Sequence, residues 1–272
     1  VKFTLAFAVY NKEKWIKSFL NSWLSTVSYK NEYEVVIVFD NLKDHSDKIA
    51  KYYLDYTDFN YQFLYADNKY EIFCNNLALQ HAKGDYIIFI QDDNWIYDKN
   101  WDILLQVTIE KILNIRAIGF LAGLELFPSG GYRRIEVNRP HKKEHFNKHK
   151  IGSYKLGIWQ VDAINRPFAI NRNLLNKLGG LSREFMPTCG DDLDLSIRLL
   201  QEGKTNIYIP FDLLNTSSSP MLKQERDRHY SRALGLYRKK YKSYLMNRKN
   251  KKIRLLFSLK EDLDNETLYW VK

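Results

Sequence analysis

Two aspartates, Asp92 and Asp93, interrupt the stretch GDYIIFIQDDNWIYDKNW that runs from Gly84 to Trp101. Ahead of them, Tyr86 to Ile90 is an unbroken run of β-forming residues, which reads as a strand buried on both faces. Isolated carboxylates are too costly to hold inside such a sheet, so the pair must emerge at the strand's carboxyl end. In open α/β sheets that edge is where ligands bind. Two carboxylates there suit a hard divalent cation held against a phosphate. A lone Asp-Asp pair is more often just the polar end of a strand, and here the rest of the chain has to decide.

A second acidic pair, Asp191-Asp192, follows Gly190 in FMPTCGDDLDLSIRLLQEG. The pattern predicts a helix over Asp191 to Gln201, with acids in its first turn and Gly203 just past its end. Leu193, Ile197 and Leu200 would form its core face, and Asp194 and Arg198 can pair at i, i+4. Capping and the helix dipole account for one acid. The second carboxylate is then left to point into a cleft.

The elements that must position these pairs follow from hydrophobic periodicity. Strands are expected at Phe3–Val9, Tyr33–Phe39, Tyr61–Tyr65 and Tyr86–Ile90. Helices are expected at Lys12–Thr26, Ser46–Tyr56, Glu71–Ala82 and Trp101–Leu113. Trp15, Ile16, Phe19, Leu20, Trp23 and Leu24 form the apolar face of the first helix, and Gly84 is the natural left-handed cap of the third. Strand and helix alternating at this spacing predict an α/β fold with a mostly parallel sheet flanked by helices and right-handed crossovers. Tyr10-Asn11, Asp40 and Asp92-Asp93 then fall at one edge, where a nucleotide-type site can form. Ile118–Leu126 is a further apolar segment. Ile164–Ile170 reads as a strand, Asn173–Leu178 as a short helix stopped by Gly179-Gly180, and Asn206–Pro210 as the last strand. Between them, Pro128 to Tyr154 is a long basic loop of the kind that forms lids. His141, His145 and His149 recur there every four residues, with no recognisable ligand set around them.

Bulk properties narrow the partners. The 272 residues carry a net charge of +10, yet Lys223 to Lys260 alone holds 14 Lys or Arg against two acids. The basicity therefore belongs to a C-terminal extension over residues 216–272, expected to be mainly helical, and residues 1–215 form the main domain. Leu234, Tyr237, Tyr241 and Tyr244 fit a core-facing stripe on it, and its cations suit an anionic membrane surface. Nucleic acid is an unlikely partner, since no reader motif is present. No apolar run is long enough to span a membrane. Phe3–Tyr10 reads as a strand, not a signal peptide. Cys74 and Cys189 make no disulfide framework. A cytoplasmic protein, peripheral to the membrane, is the expectation.

The segments FTLAFAVYNKEKW, VVIVFDN, NNLALQHAKGDYIIFIQDDN and GGLSREFMPTCGDDLDLSIRLLQEG resemble, in that order, the motifs of family 2 glycosyltransferases of GT-A fold. The resemblance covers about Phe3 to Pro210. It implies transfer of a sugar from a nucleotide-diphosphate sugar to an acceptor hydroxyl, with inversion, aided by Mn2+ or Mg2+, in glycan or polysaccharide biosynthesis. The acceptor would be a glycan or a lipid-linked molecule. By position, the resemblance implies a nucleotide-sugar pocket of Val9, Tyr10, Asn11, Asp40, Lys69 and Asp92. Within it, Tyr10 would stack on the base, Asp40 would bind base or ribose, and Asp92 would meet the ribose or a metal-bound water. Asp93 would contact the metal, and Asp192, with Asp191 beside it, would be the catalytic base. Gln91 stands where the family's first acid falls. The family's His after the last strand has no counterpart in DLLNTSSSP, which leaves His229 as the nearest substitute.

The chemistry is consistent with that resemblance. Inverting transfer needs a base for the acceptor hydroxyl and a cation for the departing diphosphate. A nucleotidyltransferase is the competing enzyme class, but it would show a Gly-rich loop after the first strand, which VYNKEKW lacks. A catalytically inactive nucleotide-sugar-binding relative is the competing non-enzyme, and four retained aspartates argue against it.

Overall fold

The computed structural model describes residues 2–96, 98–99, 101–113, 118–126, 157–161, 166–215, 223–247, 254–262 and 267–271. The N-terminal half alternates β1 (Phe3–Val9), α1 (Ile16–Leu24), β2 (Tyr33–Asp40), α2 (Ser46–Leu54), β3 (Asn60–Ala66), α3 (Tyr70–His81) and β4 (Tyr86–Gln91). A short β5 (Asn94–Ile96), α4 (Trp101–Leu113), β6 (Ile118–Leu126), β7 (Gly157–Val161) and β8 (Phe168–Asn171) follow. The chain continues through α5 (Arg172–Lys177), α6 (Asp191–Gln201), β9 (Thr205–Asn215), α7 (Lys223–Asn247), β10 (Arg254–Asp262) and β11 (Thr267–Val271).

One sheet runs in the order β11-β10-β7-β9-β6-β8-β4-β1-β2-β3, with β5 paired to β9. β3, β2, β1 and β4 are mutually parallel, so Val9, Asp40 and Gln91 end at one edge. β1 shows why its sequence is apolar throughout. Phe3, Leu5, Phe7 and Val9 pack on one face with Phe19, Leu20 and Trp23 of α1. Ala6 faces the other way, with Val36, Val38 and Phe89, toward α3, α6 and α7. Both faces are covered, as a parallel sheet requires. Beyond β4 the sheet is mixed: β8 is antiparallel to β4 and β6, whereas β6 and β9 are parallel.

The expected strands and helices of the first half are present with shifted ends. α1 begins at Ile16, not Lys12. The reason is that Lys12 and Glu13 are bonded sideways, their amides donating to Ser46 Oγ at 2.7 Å and Asp44 Oδ2 at 2.9 Å. Trp15, expected in the core, is 56% exposed. Of the expected strand over Ile164–Ile170, Ile164 and Asn165 lie outside the described residues, and β8 begins at Phe168. α6 has the expected bounds, but its buried face carries Leu195, Ile197 and Leu199 together with Asp191 and Asp194. Leu193 and Leu200 are only partly buried, because ion pairs turn the acids inward. Thr205–Asn215 is not the last strand, since β10 and β11 follow in the same sheet. The C-terminal extension thus contributes two strands as well as a helix. The loop Pro128–Tyr154, with His141, His145 and His149, lies outside the described residues, as do Lys249, Lys251 and Lys252.

Gly84 is not a left-handed cap. α3 ends at Ala82 in an extended conformation, with φ −62° and ψ 136°. Gly84 is needed because it passes over β1: a Cβ there would sit 2.7 Å from the Phe3 carbonyl carbon and from the Thr4 nitrogen. Its amide donates to Thr4 Oγ1 at 3.0 Å, and its carbonyl accepts from Arg172 Nε at 2.8 Å. Gly84→Ala must push backbone from backbone, so it is expected to destabilise the fold by about 1–3 kcal/mol. Urea unfolding checks this, and an unchanged midpoint would refute it.

α7 packs as the core-facing stripe predicts for most of its members. Ala233, Tyr237 and Tyr241 are buried and Tyr244 packs against the same cluster, with Leu236 in place of Leu234. Tyr241 Oη donates to Asp194 Oδ1 at 2.6 Å, and Lys240 Nζ lies 2.9 Å from the same oxygen. Asp194, fully buried, also pairs with Arg198 at 2.7 Å. Burial and this contact push the Tyr241 hydroxyl well above its usual pKa. α7 is therefore fastened directly to α6.

Candidate active site

Three strand ends build the site. β1 and β2 both turn through an asparagine in the left-handed region, Asn11 at φ 49° and Asn41 at φ 48°. Asparagine tolerates that conformation better than most side-chain-bearing residues. The two turns are lashed together: Asn11 Nδ2 donates to the Asn41 carbonyl at 3.2 Å, and Lys43 N donates to Asn11 Oδ1 at 2.7 Å. Asn41 Nδ2 reaches Tyr10 Oη at 3.4 Å. Val9, the last residue of β1, is buried beneath them.

Asp40 closes β2 and caps α3 from outside the helix. Its two carboxylate oxygens accept from Lys69 N and Tyr70 N, each at 2.8 Å. α3 has no side-chain cap of its own. A carboxylate at its amino end satisfies orphan amides and meets the positive end of the dipole. The turn Asn68-Lys69-Tyr70, with Asn68 at φ 50° and Tyr70 at φ 65°, is fixed by this contact. The Lys69 side chain is exposed above it.

Asp92 and Asp93 form the turn between β4 and β5. Asp92 Oδ2 accepts from Tyr10 N at 3.2 Å, and Lys12 Nζ stands 3.5 Å from Asp92 Oδ1. Lys12 is only 6% exposed. Burial raises the Asp92 pKa, while Lys12 and the Tyr10 amide oppose that rise. Asp92 is thus committed to an internal cation. Asp93 is the other carboxylate of this turn. Mg2+ and its like are usually held by one or two carboxylates plus substrate phosphates. An Asp93 carboxylate at the ligand edge fits that mode. Among the described residues there is no group of three His, Cys, Asp or Glu that could form an all-protein cage. His229 is near the start of α7, with Nε2 3.7 Å from Glu225 Oε1.

The second acidic pair opens α6. Cys189 at φ 74° and Gly190 at φ 83° precede it in left-handed conformations. Gly190 also has no room for a Cβ, which would lie 2.9 Å from the Phe185 ring. Asp191 is fully buried and forms an ion pair with the Arg166 guanidinium. Asp192, next to it, is half-buried. Arg166 is itself 5% exposed, lies over the Phe168 ring at 5.7 Å, and directs Nε toward Glu71 Oε1 at 3.5 Å. Asp191, Glu71 and Asp192 together hold its pKa above the usual arginine range, against the cost of burial. Glu71 stands in the first turn of α3 and accepts from Thr188 Oγ1 at 3.4 Å. Its charge also bears on Asp92.

The structure thus gathers Val9, Tyr10, Asn11, Asp40, Lys69 and Asp92 along one edge and connects that edge to Asp191 through Glu71 and Arg166. Lys12, Glu71 and Arg166 were not singled out in the sequence. Lys12 sat inside an expected helix, and Arg166 inside an expected strand. An acid in the first turn of α3 was visible, but such acids are common as dipole partners.

A family model described as Glycosyl transferase family 2 matches residues 4–179, well over half of the chain. The poly(ribitol-phosphate) β-N-acetylglucosaminyltransferase TarS of Staphylococcus aureus (strain Mu50) is 30% identical over 96 residues, 35% of this chain and 17% of that protein. A crystal structure of S. aureus TarS 1-349 in complex with UDP-GlcNAc is similar with a TM-score of 0.60 at 18% identity, covering 88% of this chain and 73% of that one. The mannosyltransferase PcManGT from Pyrobaculum calidifontis, in complex with GDP-Man and Mn2+, gives a TM-score of 0.62 at 16% identity, over 86% of this chain and 64% of that one. GalNAc-T7 with UDP, GalNAc and Mn2+ gives 0.67 at 16% identity, over 90% of this chain and 50% of that one. The chain spans between 15% and 26% of the length of the curated relatives it matches. The structural likenesses speak for the fold.

Proposed function

The chain belongs to glycosyl transferase family 2, and we propose that it transfers a sugar from a nucleotide-diphosphate sugar to an acceptor hydroxyl with inversion. The observation that carries this reading is the joined edge. The turns after β1, β2 and β4 are bonded to one another, and the Glu71–Arg166–Asp191 bridge brings the start of α6 to them. A donor nucleotide fits along Tyr10, Asn11, Asp40 and the Lys69 turn. Asp192 is the half-buried carboxylate next to the clamped Asp191, and it is the base. It takes the acceptor's proton as the acceptor oxygen bonds to the anomeric carbon. The bond from that carbon to the diphosphate oxygen breaks, and its electron pair leaves with the diphosphate. Asp93 would hold a divalent cation, Mn2+ or Mg2+, which neutralises charge on the leaving diphosphate. The complexes of fold neighbours with Mn2+ and with UDP- or GDP-linked sugars support a donor and a metal of these classes.

A panel of UDP- and GDP-sugars with manganese, scored by release of nucleoside diphosphate, tests this. At least one donor should turn over and stop in excess chelator. Saturable donor binding with no turnover against any acceptor would make the chain an inactive relative instead.

The division at residue 215 belongs to the same reading: residues 1–215 hold the chemistry, and residues 216–272 place the protein. Among the described residues no helix is long and apolar enough to cross a membrane. On α7, Arg226, Arg228, Arg238, Lys239 and Lys242 are exposed, whereas Ala233, Tyr237 and Tyr241 face the core. Cations near an anionic bilayer contribute about 1 kcal/mol each. A cytoplasmic protein would thereby meet a lipid-linked or glycan acceptor at the surface, reversibly. Co-sedimentation with anionic liposomes should fall with added salt and with Arg238→Gln, Lys239→Gln and Lys242→Gln combined. Equal sedimentation with neutral and anionic liposomes, or none with either, would overturn it.

A further inference from the structure

We propose that Arg166 is the positioning residue for the base, tying the first turn of α6 to the first turn of α3 through its two carboxylate partners, Asp191 and Glu71. The inference rests on the reading of Asp192 as the base. Its geometry, however, stands independently. Arg166 lies between the two helix starts, in the stretch leading into β8, and is almost completely buried. A guanidinium has five donors in a fixed planar fork, so it can hold two carboxylates at once in a set orientation. One partner, Asp191, is the residue immediately before Asp192. The other, Glu71, follows the Lys69-Tyr70 amides that hold Asp40, and is itself tied to Thr188 just ahead of α6.

Local features of α6 do not fix its amino end in the same way. Its N-cap is a glycine, without a side-chain cap, and the local bonds there are Leu193 N to Asp192 Oδ1 and Asp194 N to the Gly190 carbonyl, each at 2.9 Å. Asp194, at the close of the first turn, is anchored separately: Arg198 pairs with it and donates to the carbonyls of Leu178 and Gly180 at 2.8 and 2.9 Å. Asp194 in turn holds Lys240 and Tyr241 of α7. Arg166 therefore holds the opening residue of that turn, Asp191, while the Asp194 contacts hold its close, and Asp192 lies between the two anchors on the side that Arg166 governs. A displacement of about 1 Å at a reacting group can cost about 100-fold in rate.

Arg166→Met alone would leave Asp191 buried without its cation, and misfolding would hide the effect. The test is therefore the paired variant Arg166→Met with Asp191→Leu, which replaces the ion pair by apolar groups of similar size. Three quantities are read: the thermal midpoint, kcat and KM for the donor, and hydrogen exchange of the Asp192, Leu193 and Asp194 amides. The expected result is a midpoint near wild type, a donor KM within about threefold, a kcat lower by about 100-fold, and faster exchange in the first turn of α6. Arg166→Lys, which keeps the charge but loses the fork, should fall between. Wild-type kcat and unchanged exchange in a stable paired variant would overturn the proposal and leave the bridge as packing. If wild type turns over no donor, the functional reading fails by itself. The exchange measurement then decides the positioning claim alone: slow, wild-type-like exchange refutes it, and fast exchange supports it.

Discussion

Asp192→Asn is expected to reduce sugar transfer by about 100- to 10,000-fold while leaving donor binding within about threefold of wild type. The substitution keeps the size of the side chain and removes only its capacity to take a proton. Asp192 is half-buried, whereas its neighbour Asp191 is fully buried against Arg166. On the proposed reading the two acids have different roles, Asp192 as the base and Asp191 as the partner of Arg166. Asp191→Asn should show the opposite signature. It leaves the Arg166 charge short of a partner, so the loss appears first in stability, by about 3–5 kcal/mol. Steady-state kinetics, calorimetric titration with donor and a thermal melt, run on both variants, separate these outcomes. If Asp192→Asn loses donor affinity in step with kcat, Asp192 is a nucleotide ligand and the base lies elsewhere.

Much of this arrangement was legible in the chain because it follows from periodicity. Buried parallel strands read as apolar runs, and their polar ends read as an edge, so β1, β2 and β4 and the residues Tyr10, Asp40 and Asp92 could be placed together. Asp191–Gln201 declared its own helix through its acids and Gly203. What periodicity cannot show is which charged side chains turn inward. Lys12 follows the turn residues Tyr10-Asn11 and looks like any solvated lysine, yet it is buried beside Asp92 because Ser46 fixes its backbone. Arg166 is separated from Asp191 by 25 positions and from Glu71 by still more, so their meeting depends on tertiary packing alone. The buried face of α6 was misplaced for the same reason: the pattern of leucines cannot reveal that Asp191 and Asp194 have cation partners from other elements. Gly84 teaches a related lesson. A glycine after a helix suggests a left-handed cap, but the requirement here is the close passage of β1 beneath it.

Asp93→Asn should lower turnover by about 100- to 1,000-fold and raise the manganese concentration needed for half-maximal activity. The argument starts from the other member of the pair. Asp92 faces Lys12 at 3.5 Å and the Tyr10 amide at 3.2 Å, so its negative charge is already countered inside the protein. A cation recruited to the same carboxylate would have to displace a buried lysine. Asp93, one residue further around the turn, stands where the parallel strands end. On the proposed reading, Asp93 and the phosphates together would hold the cation. Asp92→Asn should behave differently, weakening donor binding and stability, because it leaves Lys12 buried opposite a neutral amide. Metal titrations of turnover for the two variants, with wild type in excess chelator as the reference, give the answer. Full wild-type activity in chelator, or an unchanged metal requirement in Asp93→Asn, would remove Asp93 from the metal site.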